Sequence, residues 1–171
     1  MKKILILNGS PRKNGNTASL VNAFVSGAVS AGNEVKNLYM QGLNIGGCLA
    51  CEACSRNGGN CVQKDDMEQV AEAYLWADVV VFASPMYWGT ISGQLKIVID
   101  RLYAVQNRLG YADLSKQYKE TAFLMTARGG YYKQALDFYG IFTGVLGWKD
   151  WGTVLGAGKE EEARKLGASI Q

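Results

Sequence analysis

Lys2-Lys3-Ile4-Leu5-Ile6-Leu7-Asn8-Gly9-Ser10-Pro11-Arg12-Lys13-Asn14-Gly15-Asn16-Thr17 runs from an apolar segment through a small polar loop into a helical pattern. Lys2 to Leu7 reads as a buried strand, and Thr17 to Ala31 as a helix with Leu20, Phe24 and Ala28 on one face. A strand that empties through such a loop into a helix start builds an anion site. The first turn of a helix leaves backbone N–H groups unpaired and carries partial positive charge. Ser10, Asn16 and Thr17 offer neutral donors, and Arg12 a fixed charge with a fork of donors. The plain alternative is a polar connection with a helix cap at Asn16 or Thr17.

The loop lacks the Gly-Lys-Ser/Thr ending of a nucleotide-hydrolysing P-loop and the three-glycine spacing of a dinucleotide fingerprint. A loop rich in hydroxyls and amides suits a terminal monophosphate.

Beyond it the chain alternates. Glu34 to Tyr39 reads as a half-buried strand, and Gln41 to Lys64 as a loop. Asp65 or Asp66 caps a helix running to about Trp76, with Glu68 or Gln69 in a capping arrangement. Asp78 to Ala83 is a continuous apolar strand, and Ser92 to about Val105 a helix. Thr121 to Thr126 is a strand, Tyr131 to Leu146 a helix, Trp148 to Leu155 a strand and Lys159 to Ile170 a closing helix. Strands apolar on both faces that alternate with helices predict an α/β architecture with a parallel sheet covered on both sides. Five strands in this order fit a flavodoxin-like doubly wound sheet of three layers, order 2-1-3-4-5. Its ligand crevice lies at the carboxyl ends of the first and third strands. The expected organisation is a single domain over 1–171, with 41–64 as a cysteine-rich loop insertion.

A length of 171 residues suits one sizeable core. The net charge of +3 and the lack of a basic run argue against nucleic acid, and no apolar stretch is long enough to cross a bilayer. The start of the chain reads as strand rather than leader, so the expected compartment is the cytoplasm, where thiols stay reduced. There is no histidine, which excludes imidazole chemistry.

The third strand runs into Pro85-Met86-Tyr87-Trp88-Gly89, which the topology sets beside the first loop. Two aromatics, a thioether and a glycine suit a flat conjugated ring; the alternative is an oligomer interface. After the fourth strand, Ala127-Arg128-Gly129-Gly130 allows close backbone approach and places a charge, or is a simple turn.

Together these loops resemble the NADPH-dependent FMN reductase family. The resemblance rests on Gly9-Ser10-Pro11-Arg12 through Gly15-Asn16-Thr17, on Pro85-Met86-Tyr87-Trp88, and on Lys96 through Asp100-Arg101. It implies that Ser10, Arg12, Asn16 and Thr17 hold the FMN phosphate and that Pro85, Met86, Tyr87, Trp88 and Gly89 border the ring. Arg128 and Gly129 would approach from the third loop. It further implies NAD(P)H as co-substrate, a small-molecule electron acceptor and a homodimer or higher homo-oligomer. No side chain of the protein need act as a catalytic acid or base, because the cofactor carries the chemistry.

All four cysteines fall in one segment, Cys48, Cys51, Cys54 and Cys61, spaced Cys-x2-Cys-x2-Cys-x6-Cys. So compact a run suits an iron–sulfur cubane better than zinc, whose ligands come as separated pairs. Free thiols, able to act in redox chemistry, and adventitious metal are the alternatives. The motif resembles that of iron–sulfur flavoproteins, a branch of the same superfamily with FMN and a [4Fe–4S] cluster. The leading expectation is an FMN-dependent NAD(P)H oxidoreductase acting on flavins, quinones or similar acceptors. The alternatives are an iron–sulfur flavoprotein passing electrons between cluster and FMN, and a non-catalytic flavin-binding carrier or sensor.

Overall fold

The computed structural model describes residues 1–171, except for the side chains of residues 114 and 115. Its strands are β1 (Lys3–Asn8), β2 (Glu34–Tyr39), β3 (Val79–Pro85), β4 (Glu120–Thr126) and β5 (Lys149–Leu155). Its helices are α1 (Asn16–Ser30), α2 (Ala53–Arg56), α3 (Met67–Trp76), α4 (Gly93–Leu109), α5 (Lys133–Val145) and α6 (Glu160–Ser169). The strands form one sheet in the order β2-β1-β3-β4-β5, with every neighbouring pair parallel. The architecture is therefore the expected flavodoxin-like one.

Strand periodicity divides the core. Ile4 and Ile6 of β1, Val79 and Val81 of β3 and Leu124 of β4 face α1 and α6, where Leu20, Phe24 and Ala163 meet them. Leu5, Leu7, Val80, Phe82 and Phe123 point the other way, onto Val70 and Tyr74 of α3, Leu95, Val98 and Leu102 of α4, and Tyr139 of α5. Two apolar faces on one strand require two helical layers, which is why the central strands carry unbroken apolar runs.

Two local expectations change. Neither Asn16 nor Thr17 caps α1; Gly15 holds that position, with no side-chain cap, and both residues lie inside the first turn. Asp66 stands at the N-cap of α3 but gives no side-chain cap to the helix. Its Oδ2 instead accepts the N–H of Asn44 at 2.7 Å, while Asp65 Oδ1 accepts that of Met67 at 3.2 Å. These carboxylates serve the preceding loop as well as the helix. That loop, expected to be irregular, holds a 3₁₀ turn at Met40–Gly42 and the short α2.

Candidate functional site

Three loops leave the carboxyl ends of β1, β3 and β4, which are neighbours in the sheet. The first is shaped by its own polar side chains. Asn8 Oδ1 accepts the Ser10 N–H at 3.1 Å. Ser10 Oγ donates to the Arg12 carbonyl at 3.0 Å and accepts the Arg12 N–H at 3.2 Å. Ser10 is nearly buried, so its hydroxyl holds the turn. The turn delivers the chain to α1 with the N–H groups of Asn16, Thr17 and Ala18 free of acceptors among the described residues. Arg12 is exposed beside them, and among the described residues its guanidinium makes no ion pair. Such a row of amides with an exposed cation nearby is suited to an anion.

The loop is braced from α4. Ser92, the N-cap of that helix, donates from Oγ to the Gly9 carbonyl at 2.6 Å and accepts the Leu95 N–H at 3.3 Å. A Cβ at Gly9 would lie 2.6 Å from Leu95 Cβ and 2.7 Å from Ser92 Oγ, so only glycine permits this approach. Ser84 Oγ in turn accepts the Ser92 N–H at 2.8 Å. Thr126, at the end of β4, completes the junction. Its hydroxyl pairs with that of Thr17 at 2.7 Å, and its carbonyl accepts the Met86 N–H at 2.8 Å. Thr126, Ser92, Ser84 and Gly9 thus bind the three loops to one another.

The second loop is a hairpin turn. Tyr87 and Thr90 exchange backbone hydrogen bonds of 2.9 and 3.1 Å around Trp88 and Gly89. Both central residues have positive φ, 51° for Trp88 and 81° for Gly89. A left-handed tryptophan is unfavourable, and its side chain is fully exposed. Pro85 and Met86 are half-buried at the base of the turn. In the third loop Arg128 and Gly129 are largely open to solvent, and a Cβ at Gly129 would touch nothing within 4 Å.

The cysteines form a separate centre. Cys48, Cys51, Cys54 and Cys61 line one cavity of about 60 Å³, closed on its other side by Asp100, Arg101, Tyr103 and Ala104 of α4. All four are free thiols. The backbone wraps them through two left-handed residues, Ala50 at φ 52° and Glu52 at φ 55°. Among the described residues no three His, Cys, Asp or Glu side chains converge on a single ion position. A cubane makes a different demand, since each thiolate takes its own iron. Burial, and beyond it the charges of Cys61, Cys48 and Cys51, push the Cys54 thiol up, against the pull of its backbone hydrogen bond.

Arg101 holds this loop to the fold. It is 2% exposed and forks onto Asp65, Nη1 to Oδ2 at 2.8 Å and Nη2 to Oδ1 at 3.1 Å. Nη1 also donates to the Gly46 carbonyl at 2.8 Å, and Nη2 to Cys61 Sγ at 3.3 Å. Its Nε is buried without an acceptor among the described residues. Burial raises the Asp65 carboxyl, but the Arg101 fork and the N–H groups of Gly46 and Met67 outweigh it and hold Asp65 below the usual range. A guanidinium on a cysteine sulfur would suit an anionic cluster, so the four thiols with Arg101 fit an iron–sulfur group.

A doubly wound sheet with an amide cradle and an aromatic turn at its switch point defines a ligand-binding α/β protein of the flavodoxin-like class. The chain belongs to the NADPH-dependent FMN reductase family, whose pattern matches residues 2–157. It is 38% identical over 103 residues to an iron–sulfur flavoprotein of Methanocaldococcus jannaschii, covering 60% of this chain and 52% of that one. It is 31% identical over 147 residues to an iron–sulfur flavoprotein of Archaeoglobus fulgidus, covering 82% and 64%. This chain thus spans about half to two thirds of the length of these curated relatives. Its fold superposes with a TM-score of 0.74 on the NAD(P)H:quinone oxidoreductase of Methanothermobacter marburgensis, at 19% identity, covering 99% of this chain and 96% of that one. Among the described residues no helix is long and apolar enough to cross a membrane.

Proposed function

We propose that this chain is an FMN-dependent oxidoreductase that takes reducing equivalents from NAD(P)H and delivers them to a small-molecule acceptor. The observation that carries this reading is the row of unpaired N–H groups at Asn16, Thr17 and Ala18, tied through Thr17 and Thr126 to the aromatic turn. What FMN supplies when bound is hydride acceptance from the nicotinamide and onward electron transfer.

The chain's own residues supply position and field. The N–H groups of Asn16, Thr17 and Ala18 take the phosphate oxygens, and the positive end of α1 adds to their pull. Arg12 closes over the anion from solvent. Ser10 and Thr17 act through their hydroxyls on the shape of the cradle, since both are engaged within the protein. Pro85, Met86, Tyr87, Trp88 and Gly89 border the ring, and Arg128 and Gly129 approach it from the third loop. A second subunit covering the exposed Tyr87 and Trp88 would shield the ring from water. A cytoplasmic setting, where thiols stay reduced, would suit this chemistry.

The relatives' names favour a second component, and so does the cavity lined by Cys48, Cys51, Cys54 and Cys61 with Arg101 on Cys61. These cysteines would hold a [4Fe–4S] cluster that exchanges single electrons with the flavin.

The test compares FMN with riboflavin, which lacks the phosphate. An exposed charge-assisted contact contributes about 1–2 kcal/mol. Arg12→Ala is expected to weaken FMN binding roughly tenfold while changing riboflavin binding by less than about twofold. Equal losses for both ligands would remove Arg12 from the phosphate site. A protein that binds neither ligand would overturn the whole assignment.

A further inference from the structure

We infer that Arg101 sets the reduction potential of the cluster held by Cys48, Cys51, Cys54 and Cys61, with Asp65 as the counterweight. The inference rests on the cluster reading above and adds a residue that ligates nothing.

Arg101 is held by polar contacts on both terminal nitrogens. Its Nη1 and Nη2 groups make four hydrogen bonds, and one of these ends on Cys61 Sγ at 3.3 Å rather than on oxygen. Only Nε lacks an acceptor among the described residues, and it is buried. The side chain is 2% exposed, so water screens its charge little. Arginine keeps that charge at any ordinary pH, and its planar fork lets Asp65 aim Nη2 at the sulfur.

Reduction of the cluster turns one ferric iron to ferrous and adds one negative charge. A cation on a ligand sulfur stabilises the reduced form more than the oxidised one, and hydrogen bonds to sulfur act in the same direction. Asp65 partly cancels this field. It accepts from the guanidinium and the N–H groups of Gly46 and Met67, and among the described residues it makes no hydrogen bond to a cysteine. Removing the positive charge and removing the negative charge should therefore move the potential in opposite directions. A role limited to holding the loop would give no such sign reversal.

The test uses the full chain isolated without oxygen, with iron, acid-labile sulfide and FMN measured on each sample. Dithionite supplies the electrons in a potentiometric titration, and the reduced cluster is followed by electron paramagnetic resonance. Arg101→Gln is expected to shift the midpoint potential downward. Arg101→Lys, which keeps the charge without the fork, should fall between it and the wild type. Asp65→Asn should shift the potential upward. Should Arg101→Gln lose its cluster, the other two substitutions carry the comparison. Potentials unchanged from wild type in the variants that retain cluster would overturn the inference, as would shifts of the same sign for Arg101→Gln and Asp65→Asn. Wild-type protein with bound FMN but without iron and sulfide would overturn the cluster reading itself, and the inference with it.

Discussion

Trp88 is where local preference and tertiary structure disagree most openly. Its φ of 51° belongs to glycine or asparagine, and its ring lies wholly in solvent. A left-handed conformation at such a residue costs about 1–2 kcal/mol. Within the chain, the two backbone hydrogen bonds between Tyr87 and Thr90 hold the turn against that cost. Trp88→Gly is therefore expected to raise the unfolding free energy of the ligand-free protein by up to about 1 kcal/mol, because glycine enters this region without steric penalty but gives up more backbone entropy. The same substitution should weaken FMN and riboflavin alike, in contrast to Arg12→Ala. Chemical denaturation beside flavin titration reads both effects, and a destabilised ligand-free variant would contradict the strain argument. The aromatic composition of this turn was legible in the sequence; its geometry was not, because Trp-Gly lacks the Asn-Gly signature of such hairpins. Thr126 and Ser92 were less legible still. They are small hydroxyl residues in ordinary surroundings, and their partners Thr17 and Gly9 lie 109 and 83 residues away in sequence.

At the scale of elements, period and apolarity served well wherever burial dictates the pattern. β1, β3 and β4 are buried on both faces, and their runs are continuous. α2 and the 3₁₀ turn at Met40–Gly42 carry too few residues to show a period in the sequence. The contact between α1 and α6 was also hidden, because two glycines make it. A Cβ on Gly27 would come within 2.0 Å of the Arg164 carbonyl oxygen, and one on Gly167 within 2.2 Å of that of Phe24. Both obstacles are backbone, so the helices themselves would have to separate. Gly27→Ala should destabilise the protein by about 1–3 kcal/mol through this overpacking, against the gain that alanine ordinarily brings to a helix. The anion cradle lies at the opposite end of α1, so phosphate discrimination between FMN and riboflavin should persist. Thermal unfolding with flavin titration separates the two; a stabilised variant would mean that α6 is not held this closely.

For the whole molecule the question is how the cysteine loop stays attached to the sheet. Leu43 and Ile45 of the loop pack against the core, and polar contacts add to them: Arg101 of α4 meets Asp65, the Gly46 carbonyl and Cys61, while Arg108 donates to the Gly59 carbonyl and pairs with Glu68 of α3. Of the two ion pairs the first is much the less exposed, at 2% and 11% side-chain exposure, against 60% for Glu68. Breaking a buried pair by removing one partner costs about 3–5 kcal/mol, whereas an exposed pair contributes at most about 1 kcal/mol. Burial raises the Asp65 carboxyl, and its hydrogen bonds more than reverse that, leaving it below the value it has in the unfolded chain. A depressed carboxylate stabilises the folded state fully above the unfolded value of about 3.9 and loses that contribution as pH falls through the folded value. The difference in unfolding free energy between wild type and Asp65→Asn should therefore be constant above about pH 5 and shrink steadily below about pH 4. Glu68→Gln, which removes the exposed partner, should show a much smaller effect over the same range. Urea titrations of the three proteins across this range measure it. A difference between wild type and Asp65→Asn that does not change with pH would place the anchorage of the loop in its backbone contacts rather than in the buried ion pair.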